Sequence, residues 1–171
     1  MLKFYLKIKN SSAQATVEAA IMIPVIFLLI LLLIQPGIIL YDLTVMNSAA
    51  SETCRVLSTS NDENISKICE PFARKRLSAI PQQENFHLHN NGCSYEFNFD
   101  GNQNSDVVSV SIKNQLQPLP LIAFLSDVMG LLNSNGCFEI EAQSQQTVRP
   151  SWVKNSSAGS NPDYWVGAWL E

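Results

Sequence analysis

Apolar and polar positions are distributed unevenly along this chain of 171 residues. Ala19 to Tyr41 holds 19 hydrophobic residues among 23 and no charged side chain. At about 1.5 Å per residue a helix of that length is about 35 Å long, enough to cross a hydrocarbon core of about 30 Å. The composition is helical from about Ala13. Past Tyr41 the apolar positions Leu43, Val45/Met46, Ala49/Ala50, Thr53/Cys54 and Val56/Leu57 recur at three- and four-residue steps. That spacing predicts an amphipathic continuation, with Asp42, Asn47, Ser48, Glu52 and Arg55 on the other faces. One helix of about 40 residues is expected, half in lipid and half as the spine of an outer domain. Gln35-Pro36-Gly37 interrupts it near the outer leaflet, where a proline should bend it.

Beyond the spine the pattern changes twice. Ser58 to Asp62 is a polar break, with Asn61 or Asp62 as the N-cap of a second helix over residues 63–79. Its apolar side carries Ile65, Ile68, Cys69, Phe72, Leu77 and Ile80, and Pro71 is expected to divide it. Cys93, Tyr95, Phe97 and Phe99 then alternate with Ser94, Glu96 and Asn98, a period of two that predicts a half-buried strand. Asp100 to Asn104 is turn chemistry, and Val108, Val110 and Ile112 alternate with Ser109, Ser111 and Lys113 as the second strand of a hairpin. Pro118 and Pro120 end that strand. Leu119 to Leu132 is apolar enough for a buried helix but too short for a second membrane span. Cys137 to Val148 reads as a third strand with Phe138, Ile140 and Ala142 inward. The expected fold is α+β: a long N-terminal transmembrane helix, a second helix, a three-stranded antiparallel sheet and one further helix.

Outside Ala19–Tyr41 the hydrophobic content falls to about 40%, ordinary for one globular domain. The membrane-length apolar run argues against a purely cytosolic soluble enzyme. Lys3, Lys7 and Lys9 are the only charges before Glu18, whereas the residues beyond Tyr41 carry 14 acidic and 8 basic side chains. Positive flanks stay in the cytoplasm, so the N-terminus is expected inside and the C-terminal domain extracytoplasmic. The acidic outer domain argues against nucleic acid, which needs clustered Lys and Arg. The basic run Arg74, Lys75 and Arg76 is read as a solvated helix face. Cys54, Cys69, Cys93 and Cys137 all fall on the outer side, an even count that suggests two disulfides. Three pairings are possible. Cys54–Cys69 and Cys93–Cys137 are favoured, the first closing a loop of about 15 residues worth about 3 kcal/mol.

The most informative segment is Ala13-Gln14-Ala15-Thr16-Val17-Glu18, directly before the apolar run. A glutamate at the lip of a membrane helix is costly if drawn unpaired into lipid. Cutting the chain after Ala13 would make Glu18 the fifth residue and Gln14 the new α-amino terminus, a cation available to Glu18 of the same chain or of a neighbour. That is the arrangement of a type IV prepilin signal. The stretch Gln14 to Pro24, with Glu18 followed six residues later by Pro24, resembles the N-terminal signature of TadE-like pseudopilins of the tight-adherence (Flp-type) pilus system. Ala13 stands where many members carry glycine and is likewise small. The resemblance covers roughly residues 11–55 and does not extend into the outer domain. It implies insertion by the general secretion route, cleavage by a membrane-embedded prepilin peptidase, and partners among other pilin or pseudopilin subunits and the pilus assembly platform.

Catalytic chemistry finds no support. His87 and His89 share a side of an extended segment but lack a third metal ligand, and surface-loop histidines are the expectation. No G-x-S-x-G, H-E-x-x-H or P-loop is present. Glu139 and Glu141 fall on the outward face of the third strand. Asn64 and Asn155 begin Asn-x-Ser sequons, which matter only in a eukaryotic secretory pathway. No cofactor, metal or small-molecule substrate is expected. The organisation is a leader (1–13), a transmembrane helix (14–41), an outer α+β domain (42–149) and a Trp-rich tail (150–171). The tail is expected to fold back on the domain rather than act as a docking strap, since exposed tryptophans are a liability. The expected function is a structural membrane component of pilus assembly or secretion. The alternatives are a single-pass anchored binding domain, or a domain released by signal peptidase after Ala50.

Overall fold

The structure, a computed structural model, describes residues 2–60, 65–88, 95–149 and 151. The predicted N-cap at Asn61 or Asp62, His89, Cys93 and the tail with Trp152, Trp165 and Trp169 lie outside the described residues. Helix α1 runs from Leu2 to Leu57 and contains both Pro24 and Pro36. It is longer than the periodicity alone predicts, because residues 2–12 are helical as well. Internal contacts divide the chain into Met1–Gly37 and Ile38–Glu171.

In the first unit the apolar side chains from Ile21 to Ile34 are exposed all round the helix, Leu33 at 70%. A helix that is apolar on every face and covered by nothing in its own chain is suited to a membrane. α1 contains one stretch long and apolar enough to cross one.

In the second unit α1 has a buried stripe of Met46, Ala49, Ala50, Cys54, Val56 and Leu57. A π-helical turn, Ile65–Cys69, leads into α2, Glu70–Leu77, with Pro71 in its first turn. Proline is tolerated there because the first helical N–H groups have no intrahelical partner. The predicted second helix is therefore divided at Pro71, as its sequence suggests. Three strands follow in the order β1 (Glu96–Asp100), β2 (Val107–Leu116) and β3 (Phe138–Thr147), all antiparallel. Glu96 pairs with Lys113 and Asp100 with Ser109; Leu116 pairs with Phe138 and Val107 with Thr147. Val108, Val110, Ile112 and Leu116 of β2 join Ile140 and Ala142 of β3 in one core with the α1 stripe, Phe72 and Leu77. The β1–β2 turn needs Gly101, at φ +87°, where an added Cβ would lie 2.7 Å from the Val107 carbonyl oxygen.

One expectation fails here. Helix α3, Pro120–Val128, is not a buried helix. Ile122 and Ser126 are buried, but Phe124, Leu125, Val128, Met129 and Leu131 are exposed. A short apolar run signals a helix without saying what covers it. The basic run lies on a solvated face, as expected, and its arginines make surface pairs there. Arg74 pairs with Glu70 (2.8 Å) and lies over the Phe97 ring, while Arg76 pairs with Glu52 (2.5 Å) and lies over Phe72.

Candidate functional site

Ala13, Gln14, Glu18 and Pro24 all lie on α1, within the first unit. One helical turn separates Gln14 from Glu18, so their side chains meet on one face. The Gln14 side-chain amide Nε2 donates to Glu18 Oε1 at 3.0 Å, and the pair is exposed. The contact is made by the Gln14 side chain and not by its backbone nitrogen, the group in the expected pairing with Glu18. Three turns of exposed aliphatic side chains follow Pro24.

The second polar cluster sits where α1 enters the outer domain. Asp42 is fully buried, and neither carboxyl oxygen has a hydrogen-bond partner among the described residues. Loss of water disfavours the charged form, pushing its pKa from 3.8 up to about 7. The Tyr95 phenol is pushed up too, first by burial and then by the Asp42 charge. The Tyr95 ring stacks on His87 at 4.1 Å. His87 Nδ1 is 2.6 Å from Asn114 Oδ1, and Asn114 Nδ2 donates to the Phe86 carbonyl at 2.9 Å. Beside them Tyr41 donates its hydroxyl to the Ala79 carbonyl at 2.9 Å and meets the Phe86 ring edge-on. His87 is therefore buried, not a surface-loop residue. Its partner Asn114 is 27 positions away, and no local pattern encodes that contact.

Asp42 was legible in part. Counting back from Met46 by four and from Ala49 by seven places residue 42 on the buried stripe, whatever its polarity. Residue type had suggested one of the other faces. The result is a carboxyl that is neutral at acid pH and becomes a buried charge as pH rises past about 7.

The expected Cys54–Cys69 disulfide is not formed. Cys54 Sγ donates to the Val108 carbonyl on β2 at 3.5 Å, whereas Cys69 Sγ lies 3.5 Å from Ser60 Oγ in the turn after α1. The two thiols thus serve different neighbours, and burial raises the pKa of both. Cys137 donates its thiol to the Asn135 carbonyl at 3.7 Å. Its proposed partner Cys93 lies outside the described residues.

The outward face of the sheet carries an open hollow of about 350 Å³ bordered by Glu96, Asn98, Ser111, Lys113, Glu141 and Gln143. Ser111 donates its hydroxyl to Glu141, and Lys113 pairs with Glu139 at 3.7 Å. These are cross-strand partners on a solvated face, with no nucleophile–base pair among them. Among the described residues no group of three or more His, Cys, Asp or Glu is placed to hold a metal ion.

Comparison with curated proteins and with solved structures yields no match. A family model does match, that of TadE-like protein, over residues 13–55. The match begins at Ala13, takes in Gln14, Glu18, Pro24 and Asp42, and ends at Arg55, before the sheet. Residues 13–55 of α1 thus match the family model of TadE-like protein, consistent with a TadE-like protein of the tight-adherence pilus system.

Proposed function

We propose that this chain is a pseudopilin-like structural subunit of tight-adherence pilus assembly, cut after Ala13 by a prepilin peptidase and without catalysis of its own. The observation that carries the reading is the TadE-like match over residues 13–55, which starts at the residue before the proposed cut. Glu18 then acts as the polar contact of an otherwise apolar assembly helix, taking the Gln14 amine of its own chain or of a neighbour. The outer domain, extracytoplasmic in this reading, is presented to partner subunits or to the assembly platform.

Release after Ala50 is disfavoured by packing. Met46, Ala49 and Ala50 are fully or almost fully buried in the core of the outer domain, and cleavage there would strip them from it. Terminal sequencing or intact mass of the protein from cells with an active prepilin peptidase tests the proposal. An N-terminus at Gln14 is expected; retention of residue 1 would falsify processing. Glu18→Val should leave membrane insertion intact and abolish assembly, so piliation equal to wild type sinks the pairing role.

A further inference from the structure

Between β2 and β3 the chain makes an excursion over residues 117–137, in which Asp127 is the one charged side chain. Helix α3 lies within it and is apolar on both sides. Phe124 is 72% exposed, Val128 73% and Met129 70%, with Leu125 and Leu131 also in the open. The steps 124–128 and 125–129 are four residues, so these side chains share one side of the helix. Single exposed apolar residues are ordinary; five large ones on a nine-residue helix and the turn after it form a patch that marks an interaction surface.

The topology says what meets that patch. At one pole of the outer domain the far end of α1 touches the start of β2, where Cys54 Sγ donates to Val108 O at 3.5 Å. At the opposite pole Leu88 N–H donates to Gln115 O (2.8 Å) and Gln117 N–H to Glu84 O (2.7 Å). Phe86, between them, packs against Tyr41 with ring centroids 6.1 Å apart. Leu116 and Gln117 therefore lie at the pole where Tyr41 and Asp42 bring the chain in from the apolar run. Phe138, paired with Leu116, starts β3 there as well. The excursion leaves and rejoins the sheet at the pole through which the membrane anchor enters.

We propose that α3 and the turn to Leu131 form an interfacial membrane element, seating the outer domain on the lipid surface through Phe124, Leu125, Val128, Met129 and Leu131. Between Lys113 and Arg149 there is no Lys or Arg. The seating is therefore apolar and independent of anionic lipid, unlike that of basic amphipathic helices. The proposal rests on the membrane-spanning reading of α1 and stands apart from the pilus reading.

Photocrosslinking of the full-length chain tests it. A benzophenone amino acid is placed at Val128, or at Thr147 at the opposite pole as control, and the protein is reconstituted in phosphatidylcholine vesicles. Lipid adducts at position 128 should exceed those at 147 by about tenfold, with or without added phosphatidylglycerol. In the Val128-labelled chain, Phe124→Ser with Leu125→Ser should lower the lipid adduct by about tenfold and leave the circular dichroism spectrum unchanged. Adducts at 128 to a second protein chain instead of lipid would assign the patch to a protein partner and overturn the proposal. Equal lipid labelling at 128 and 147, or labelling that requires phosphatidylglycerol, overturns it too.

Discussion

The two halves of α1 are one helix under two regimes. Ile21–Ile34 is apolar on every face and exposed throughout, so no position differs from its neighbours in what it meets. Met46–Leu57 confines its apolar residues to a stripe buried in the core of the outer domain. The first half derives its stability from the solvent it sits in, the second from particular neighbours. Polar residues follow the same division. Glu18 and Gln14 meet each other at the surface of the helix, while Asp42 is sealed into the outer half with no hydrogen-bond partner for its oxygens among the described residues.

The largest test of that contrast is pH. Burial raises the Asp42 pKa from 3.8 to about 7 in the folded chain, so folding favours the neutral form. Its contribution is fully present below about pH 3.8, declines as pH rises, and levels off above about 7. At 1.36 kcal/mol per unit the loss is about 4 kcal/mol. Asp42→Asn should flatten this slope and raise the melting temperature of the outer domain at pH 8 in detergent micelles. A pH–stability profile that the substitution leaves unchanged removes Asp42 as its cause.

Next in size is a matched pair of truncations. Leu57→Ala opens a cavity in the packed half and should destabilise the outer domain by about 3 kcal/mol in a denaturant titration. Leu29→Ala, in the uniformly apolar half, should leave that titration within about 0.5 kcal/mol of wild type. Equal losses from both would mean that the two halves are not under different regimes. The smallest effect belongs to the water-facing side of α2. Arg74→Ala loses an exposed pair with Glu70 and a stack on Phe97, together less than about 1 kcal/mol and smaller still at high salt.

Regular elements were legible wherever a period ran for several residues. The alternation Val108-Ser109-Val110-Ser111-Ile112 predicts β2, and its buried and solvated faces fall where the alternation puts them. Pro71 announces the division of the second helix. Features without a period were not legible. The run Leu119–Leu132 has apolar residues on all sides, so its exposed face could not be told from a core face. Cysteine parity suggested a Cys54–Cys69 bridge, but parity carries no direction, and the thiols turn to Val108 and Ser60 instead. The His87–Asn114 contact arises only after β2 and the loop before β1 have come together. At the N-terminal site the one-turn spacing of Gln14 and Glu18 was readable directly, because a helix converts sequence distance four into contact.

Helix α1 passes through the Ala13–Gln14 bond without a break. With the leader attached, Glu18 stands beside a helix interior, where successive peptide dipoles are neutralised by their neighbours. Removing residues 1–13 would start the helix at Gln14. The first four amide N–H groups would then lose their place in the ladder, and the positive end of the macrodipole, about half an elementary charge, would fall in the turn that carries Glu18. If that cut is made, a mid-helix glutamate would become an anion one turn from a helix N-terminus, and a carboxylate from this subunit or the next could cap that terminus.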